Sequence, residues 1–239
     1  MKTKAIFSLF ALIIFLLTSC IDFNNSVTGS GDVIAEYHEV GDFHGIEAAA
    51  GLNVYVEFGD MSNEVEVIAD ENLHEYIRVE VSNGILKITS RRNIRRASSK
   101  DVFVQAGTID ELEVSSAADF IGENLLTAGD IDIEVSSAAD LELELEVETA
   151  RIEVSSSGSA YIRGNAQRLI ADVSSAGDLN ASDFIVEEAD VEASSAGDAR
   201  VHVTEKIRAE ASSAGSVRYK GNPKERNTET SSAGSVSGD

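Results

Sequence analysis

The chain has 239 residues, 42 of them acidic and 19 basic, for a formal charge of −23. A surface this acidic repels phosphate backbones, which excludes nucleic acid and anionic lipid as partners of its general surface. Cys20 is the only cysteine, which excludes a disulfide framework and any cysteine-based zinc site, while 43% apolar residues still allow a buried core.

Met1 to Lys4 form a short positive segment, followed by a 13-residue apolar run from Ala5 to Leu17. That run is short for a bilayer span and of the right length for a secretory signal. It ends in Leu17-Thr18-Ser19-Cys20, which resembles a bacterial lipobox. The resemblance implies removal of residues 1–19 as a signal peptide, lipid on the Cys20 sulfur and acylation of the new amino group. Several acyl chains on one residue hold a protein to a membrane durably, where a single chain is marginal. The membrane is thus an expected partner, through Cys20. Loss of the signal removes Lys2 and Lys4 and leaves a charge of −25. Residues 20–32 combine that cysteine with a polar, glycine-bearing tether. Ile21, not Asp, follows the cysteine, and by resemblance to enterobacterial sorting this favours the outer membrane.

Residues 33–106 read as a strand-rich part. Leu52 to Phe58 and Val65 to Ile68 alternate or run apolar, and Asp70 to Ile77 suits a helical turn or two with Asp70 as its cap. Val79-Glu-Val81 and Ile85 to Ile88 flank Ser82-Asn83-Gly84, and Asn-Gly between strand runs signals a hairpin. This part is expected to cover the open N-terminal end of the repeats at 107–239. Arg91, Arg92, Arg95, Arg96 and Lys100 then place five basic residues in ten positions. They are a candidate site for an anionic partner: a glycan, lipopolysaccharide phosphate or the acidic face of another copy, so that self-association is in view. The alternative is a solvated loop.

Residues 107–239 repeat one phrase seven times, from Leu112-Glu-Val-Ser-Ser-Ala-Ala-Asp-Phe120 onward. The first serines of the pairs are Ser115, Ser136, Ser155, Ser174, Ser194, Ser212 and Ser231, with intervals of 21, 19, 19, 20, 18 and 19 residues. Within each unit apolar and polar residues alternate with period two, the strand signature. Units of this length with small-residue corners predict an all-β fold, a parallel β-solenoid of about 19–20 residues per coil. Coils about 4.8 Å apart would make a rod roughly 30 Å tall. The columns headed by Leu112 and Val114 are expected to point inward, shrinking and turning polar toward Thr228 and Thr230 as a cap for the last coil. The serine pairs are expected at corners, with their hydroxyls bonded to main-chain groups. No histidine recurs with the repeat, so these serines lack a base and are not read as nucleophiles.

Stacking of the repeats creates two acidic columns. Glu113, Glu134, Glu153, Asp172, Glu192, Glu210 and Glu229 form an outward ladder. Asp119, Asp140, Asp178 and Asp198 recur at the turn, where serine fills the other coils; they are a candidate column for Ca²⁺, with a solvated acidic face as the alternative. No other cofactor is indicated.

Phe43-His-Gly45-Ile46, Gly51-Leu-Asn-Val54-Tyr-Val56, Asp70-Glu-Asn-Leu73, Val79 to Ile88, the Ser-Ser phrases and Val217 to Pro223 together resemble one bacterial family, the putative auto-transporter adhesin, head GIN domain. The resemblance spans residues 33–238 and implies a right-handed parallel β-helix in a Bacteroidetes-type envelope protein, with no established catalytic residues. Strict Ser-Ser pairing departs from the Ser-Gly common in that family. The expected function is that of a non-enzymatic envelope lipoprotein, an adhesin or surface scaffold that meets a glycan or protein through its acidic face. A periplasm-facing stress or assembly component, or a polysaccharide-degrading enzyme, are the alternatives.

Overall fold

The computed structural model describes residues 26–60 and 62–238, so Cys20 and the signal lie outside the described residues. The N-terminal strands are β1 (Ser26–Thr28), β2 (Val33–Glu39), β3 (Gly45–Ala48), β4 (Asn53–Phe58), β5 (Glu64–Asp70), β6 (Ile77–Ser82), β7 (Ile85–Ser90), β8 (Asn93–Arg96) and β9 (Lys100–Ala106). The repeats supply β10 (Glu111–Val114), β11 (Asp119–Thr127), β12 (Asp130–Val135), β13 (Asp140–Val154), β14 (Ser159–Val173), β15 (Asp178–Ala193), β16 (Asp198–Ala211), β17 (Ser216–Lys220), β18 (Glu225–Thr230) and β19 (Ser235–Gly238).

The repeats stack as a parallel β-solenoid. Leu112 lies beside Ile133, Ile133 beside Ile152, and Ile152 beside Ala171, each one coil further along the axis. Because the offset nearly equals the sequence interval, like residues meet like residues, and the period-two pattern puts every apolar column inside. Leu112, Val114 and their partners are buried through Ala209 and Ala211, whereas Thr228 and Thr230 of the last coil are exposed. Each buried Leu, Ile or Val contributes about 1.5–3 kcal/mol, so a few coils suffice for a core although no coil could stand alone.

The Ser-Ser corners are tight turns in which two successive residues adopt positive φ: Ser116 (55°) and Ala117 (58°), then Ser137 and Ala138, and so on to Ser232 and Ala233. The Ala118 N–H closes the first turn on the Ser115 carbonyl at 3.1 Å, and the Ala117 N–H donates to the Ser137 carbonyl of the next coil at 3.0 Å. Left-handed backbone costs an L-residue about 1–2 kcal/mol, which small side chains keep low and the bonds between coils offset. The corner is therefore held by main-chain bonds; among the described residues the paired serine hydroxyls make no side-chain hydrogen bond, contrary to expectation. The fourth corner residue is Ala118 or Ala139 in the first two repeats and glycine afterwards. A Cβ on Gly215 would lie 2.3 Å from the Ala193 carbonyl oxygen, so the later coils approach too closely for alanine.

The stack begins before the first repeated phrase. β3 pairs in parallel with β10, and β4 with β11, across an offset of 66 residues. Ala50 (φ 65°) and Gly51 (φ 67°) form the same corner without a serine pair. Below this coil β7 pairs in parallel with β3, and β9 with β4. Antiparallel partners then close that end, β6 on β7, β5 on β9 and β2 on β5. Asn83 and Gly84, both at positive φ, make the expected β6–β7 hairpin turn.

The expected helical turn is one short 3-10 turn, Glu71–Leu73, and the Asp70 carboxylate does not cap it. Asp70 is fully buried and instead accepts N–H bonds from Gly31 (2.5 Å), Ser98 (2.6 Å) and Ser99 (3.3 Å). It thereby ties the segment leading from the tether to the strand that opens with Lys100.

Candidate interaction face

Strands β10, β12 and the last third of the long strands present one open face. Its outward residues fall in two columns, because side chains two apart leave a strand on the same side. One column is the predicted ladder, and the structure extends it downward: Glu47 lies beside Glu113, followed by Glu134, Glu153, Asp172, Glu192, Glu210 and Glu229. Lys87 is the register partner of Glu47 on the other side and ion-pairs with it. The signal for Glu47 was present in the sequence, since Ile46-Glu-Ala-Ala-Ala-Gly-Leu-Asn-Val54 aligns with the first repeated phrase once identity at the serines is not required.

The second column runs Glu111, Asp132, Arg151, Ile170, Asp190, Arg208 and Asn227. Arg151 bridges Asp130 and Asp132, each at 3.3 Å. Arg208 pairs with Asp190 at 2.8 Å and with Glu192 at 3.5 Å, and also with Glu210. Along the lower part of this face, no ion pair among the described residues reaches Glu113, Glu134, Glu153 or Asp172. A shallow groove of about 560 Å³ opens there, lined by those carboxylates and by Arg151, with Ile170 as the partly exposed apolar side chain on its surface. Shielding from water, then the charges of Glu47 and Glu134, push the Glu113 carboxyl above its ordinary value. Asp172 is raised by the same shielding and by Glu192. Carboxylates stacked one strand spacing apart repel one another, so this surface gains by accepting positive charge.

The turn aspartates do share one column: Asp119 beside Asp140, then Ser159, Asp178 and Asp198. Arg200 reaches Asp178 at 3.2 Å and Asp198 at 2.9 Å, and Arg218 reaches Asp198 at 3.1 Å. The Arg200 guanidinium thus bridges Asp178 and Asp198. Asp119 and Asp140 form an exposed pair below them.

The five basic residues gather at the closed end. Arg91 and Arg92 follow β7, Arg95 and Arg96 lie on β8, and Lys100 opens β9. The Arg92 guanidinium sits 4.8 Å over the Tyr76 ring. Lys100 turns inward and donates to the Gly51 carbonyl of the first corner, while all four arginines are exposed.

Residues 42–223 match a protein family described as putative auto-transporter adhesin, head GIN domain. No curated protein matches the sequence. The fold is similar to that of a putative adhesin from Bacteroides fragilis NCTC 9343, with a TM-score of 0.80 and 21% identity over 89% of this chain and 100% of that one. It is also similar to a putative lipid binding protein from Parabacteroides distasonis ATCC 8503, with a TM-score of 0.72 and 19% identity over 90% and 99% of the two chains. A putative adhesin from the same organism gives a TM-score of 0.70 and 24% identity over 90% and 100%.

Proposed function

The chain belongs to the putative auto-transporter adhesin, head GIN domain family, and from that membership we propose that it is a non-enzymatic, lipid-anchored protein of the cell envelope that holds a partner in its acidic groove. The observation that carries this reading is the run of unpaired carboxylates from Glu113 to Asp172 along one open face. An extended, cationic segment of a protein or an amine-bearing glycan would lie along the axis and meet one carboxylate per coil. Ile170, partly exposed beside Asp172, would meet an uncharged portion of it.

A catalytic role fits this face less well. General acid–base work on a glycosidic bond sets two carboxyls at different pKa values in one pocket. Here the acids recur coil after coil in equivalent positions, and the groove is open along its length. Anchoring through Cys20 after signal removal, with an outer-membrane address, follows from the lipobox and from Ile21.

The test is binding of the purified protein to whole cells, glycans and basic polypeptides, beside a variant carrying Glu113→Gln, Glu134→Gln and Glu153→Gln. Salt-sensitive binding that falls by about tenfold or more in the variant supports the groove; equal binding by both proteins would overturn it. Protease shaving of intact cells, with a periplasmic control, decides which membrane face the solenoid occupies.

A further inference from the structure

Away from the groove, at the closed end, Glu36 and His38 stand two residues apart on β2 and so share a side of the sheet. Their partners on β5 are Val67 and Val65, both fully buried, which places that side toward the core. His74, just after the 3-10 turn, packs beneath them with its side chain 4% exposed. One donor atom from each of Glu36, His38 and His74 lies within 4.8 Å of the other two.

The hydrogen bonding leaves this cluster short of positive charge. His74 Nε2 is 3.3 Å from the Ile34 carbonyl oxygen, which can only accept, so Nε2 carries a proton. In a neutral ring Nδ1 then presents a lone pair, and it faces the Glu36 carboxylate at 3.5 Å, another acceptor. His74 Nδ1 and His38 Nε2 are both buried and without any hydrogen-bond partner. Buried polar atoms left without a partner destabilise the folded chain. A second proton on His74 would satisfy one nitrogen and leave the other.

We propose that Glu36, His38 and His74 bind a divalent transition-series metal, with Zn²⁺ the best match. The metal supplies the charge that both orphaned nitrogens and the carboxylate lack. Bonds of about 2.0–2.1 Å in a tetrahedron put ligands about 3.3 Å apart, close to the separation of His74 Nδ1 and Glu36. The carbonyl bond at Nε2 is the outer contact that commonly orients a ligating histidine. Two imidazoles and one carboxylate suit zinc rather than the oxygen-seeking Ca²⁺ or Mg²⁺. Because Glu36 is exposed, the fourth position opens to solvent. The site pins β2, which among the described residues pairs with β5 alone, to the turn that carries His74.

The experiment titrates metal-free full-length protein in detergent with Zn²⁺ in a background of millimolar Mg²⁺, which occupies sites made of carboxylates alone. Wild type should bind one Zn²⁺ per chain, melt at higher temperature with it, and give tetrahedral ligand-field bands when Co²⁺ replaces zinc. Glu36→Gln and His38→Ala change residues that are not fully buried and should each weaken Zn²⁺ by about tenfold or more without unfolding the chain. His74→Gln should do the same, or lose stability in metal-free buffer as well. Zn²⁺ binding no tighter in wild type than in the Glu36→Gln, His38→Ala double variant would overturn the site, as would a doubly protonated His74 whose signals do not move on adding Zn²⁺.

Discussion

Lys87 and Glu47 are direct partners in neighbouring parallel strands, and the Lys87 ammonium closes the lower end of a column of stacked carboxylates. Its hydrogen bond to Glu47 holds the ammonium above the ordinary lysine value, with burial pulling the other way. The next position up is Glu113, already raised by shielding and by its acidic neighbours, and the Lys87 charge pulls it back down. Lys87→Met removes that relief. The expected result is a further upward shift of the Glu113 carboxyl in an NMR titration and a loss of about 0.5–1 kcal/mol at neutral pH, small because the pair is half exposed.

The column also sets a pH dependence. Glu113 and Asp172 hold protons more tightly in the folded chain than unfolded. The stability they contribute is therefore full below the ordinary carboxylate range and is lost as pH rises through their raised values. Asp70 and Asp183 act in the opposite sense. Burial pulls Asp70 upward, but three main-chain N–H bonds outweigh it, and Asp183 is lowered by bonds from Tyr161 and Lys220. Their stabilisation is lost as pH falls through their lowered values. The melting temperature should therefore be highest in mildly acidic buffer and decline toward neutrality, and added salt should recover part of the decline. Calorimetry across pH checks this, and Glu113→Gln with Asp172→Asn should flatten the neutral side.

Glycine at the fourth corner position is required only where the coils draw close. Gly215→Ala would drive a Cβ to 2.3 Å from the Ala193 carbonyl oxygen. It should destabilise by about 1–3 kcal/mol, as overpacking does. The reverse change at the other end, Ala118→Gly, removes a buried methyl without a clash and should cost about 1 kcal/mol or less. Chemical denaturation of the two variants separates the effects.

Asp70→Asn keeps the shape but turns an NH₂ toward main-chain donors. With three N–H groups dependent on that carboxylate, the loss should be about 3 kcal/mol, and amide exchange should accelerate first at Gly31, Ser98 and Ser99. Equal protection at those amides in both proteins would refute the role given to Asp70.

What the sequence determined by itself is the periodic part. A phrase that returns every 18 to 21 residues with period-two alternation fixes strands, inward columns and the outward carboxylate ladder, because parallel stacking at a constant offset turns sequence position directly into height along the axis. Glu113 and Glu134 can be paired on paper for that reason. Only the tertiary structure decided what the closed end does. Asp70 gathers Gly31 and Ser98 from both directions, and His74 meets Glu36 and His38 under an antiparallel strand. None of these can be read from a repeat interval, because each is closed by a chain reversal whose length is its own. The serine corners show the same division: their position was periodic and legible, but two successive left-handed residues bonded to the next coil exist only once that coil is in place.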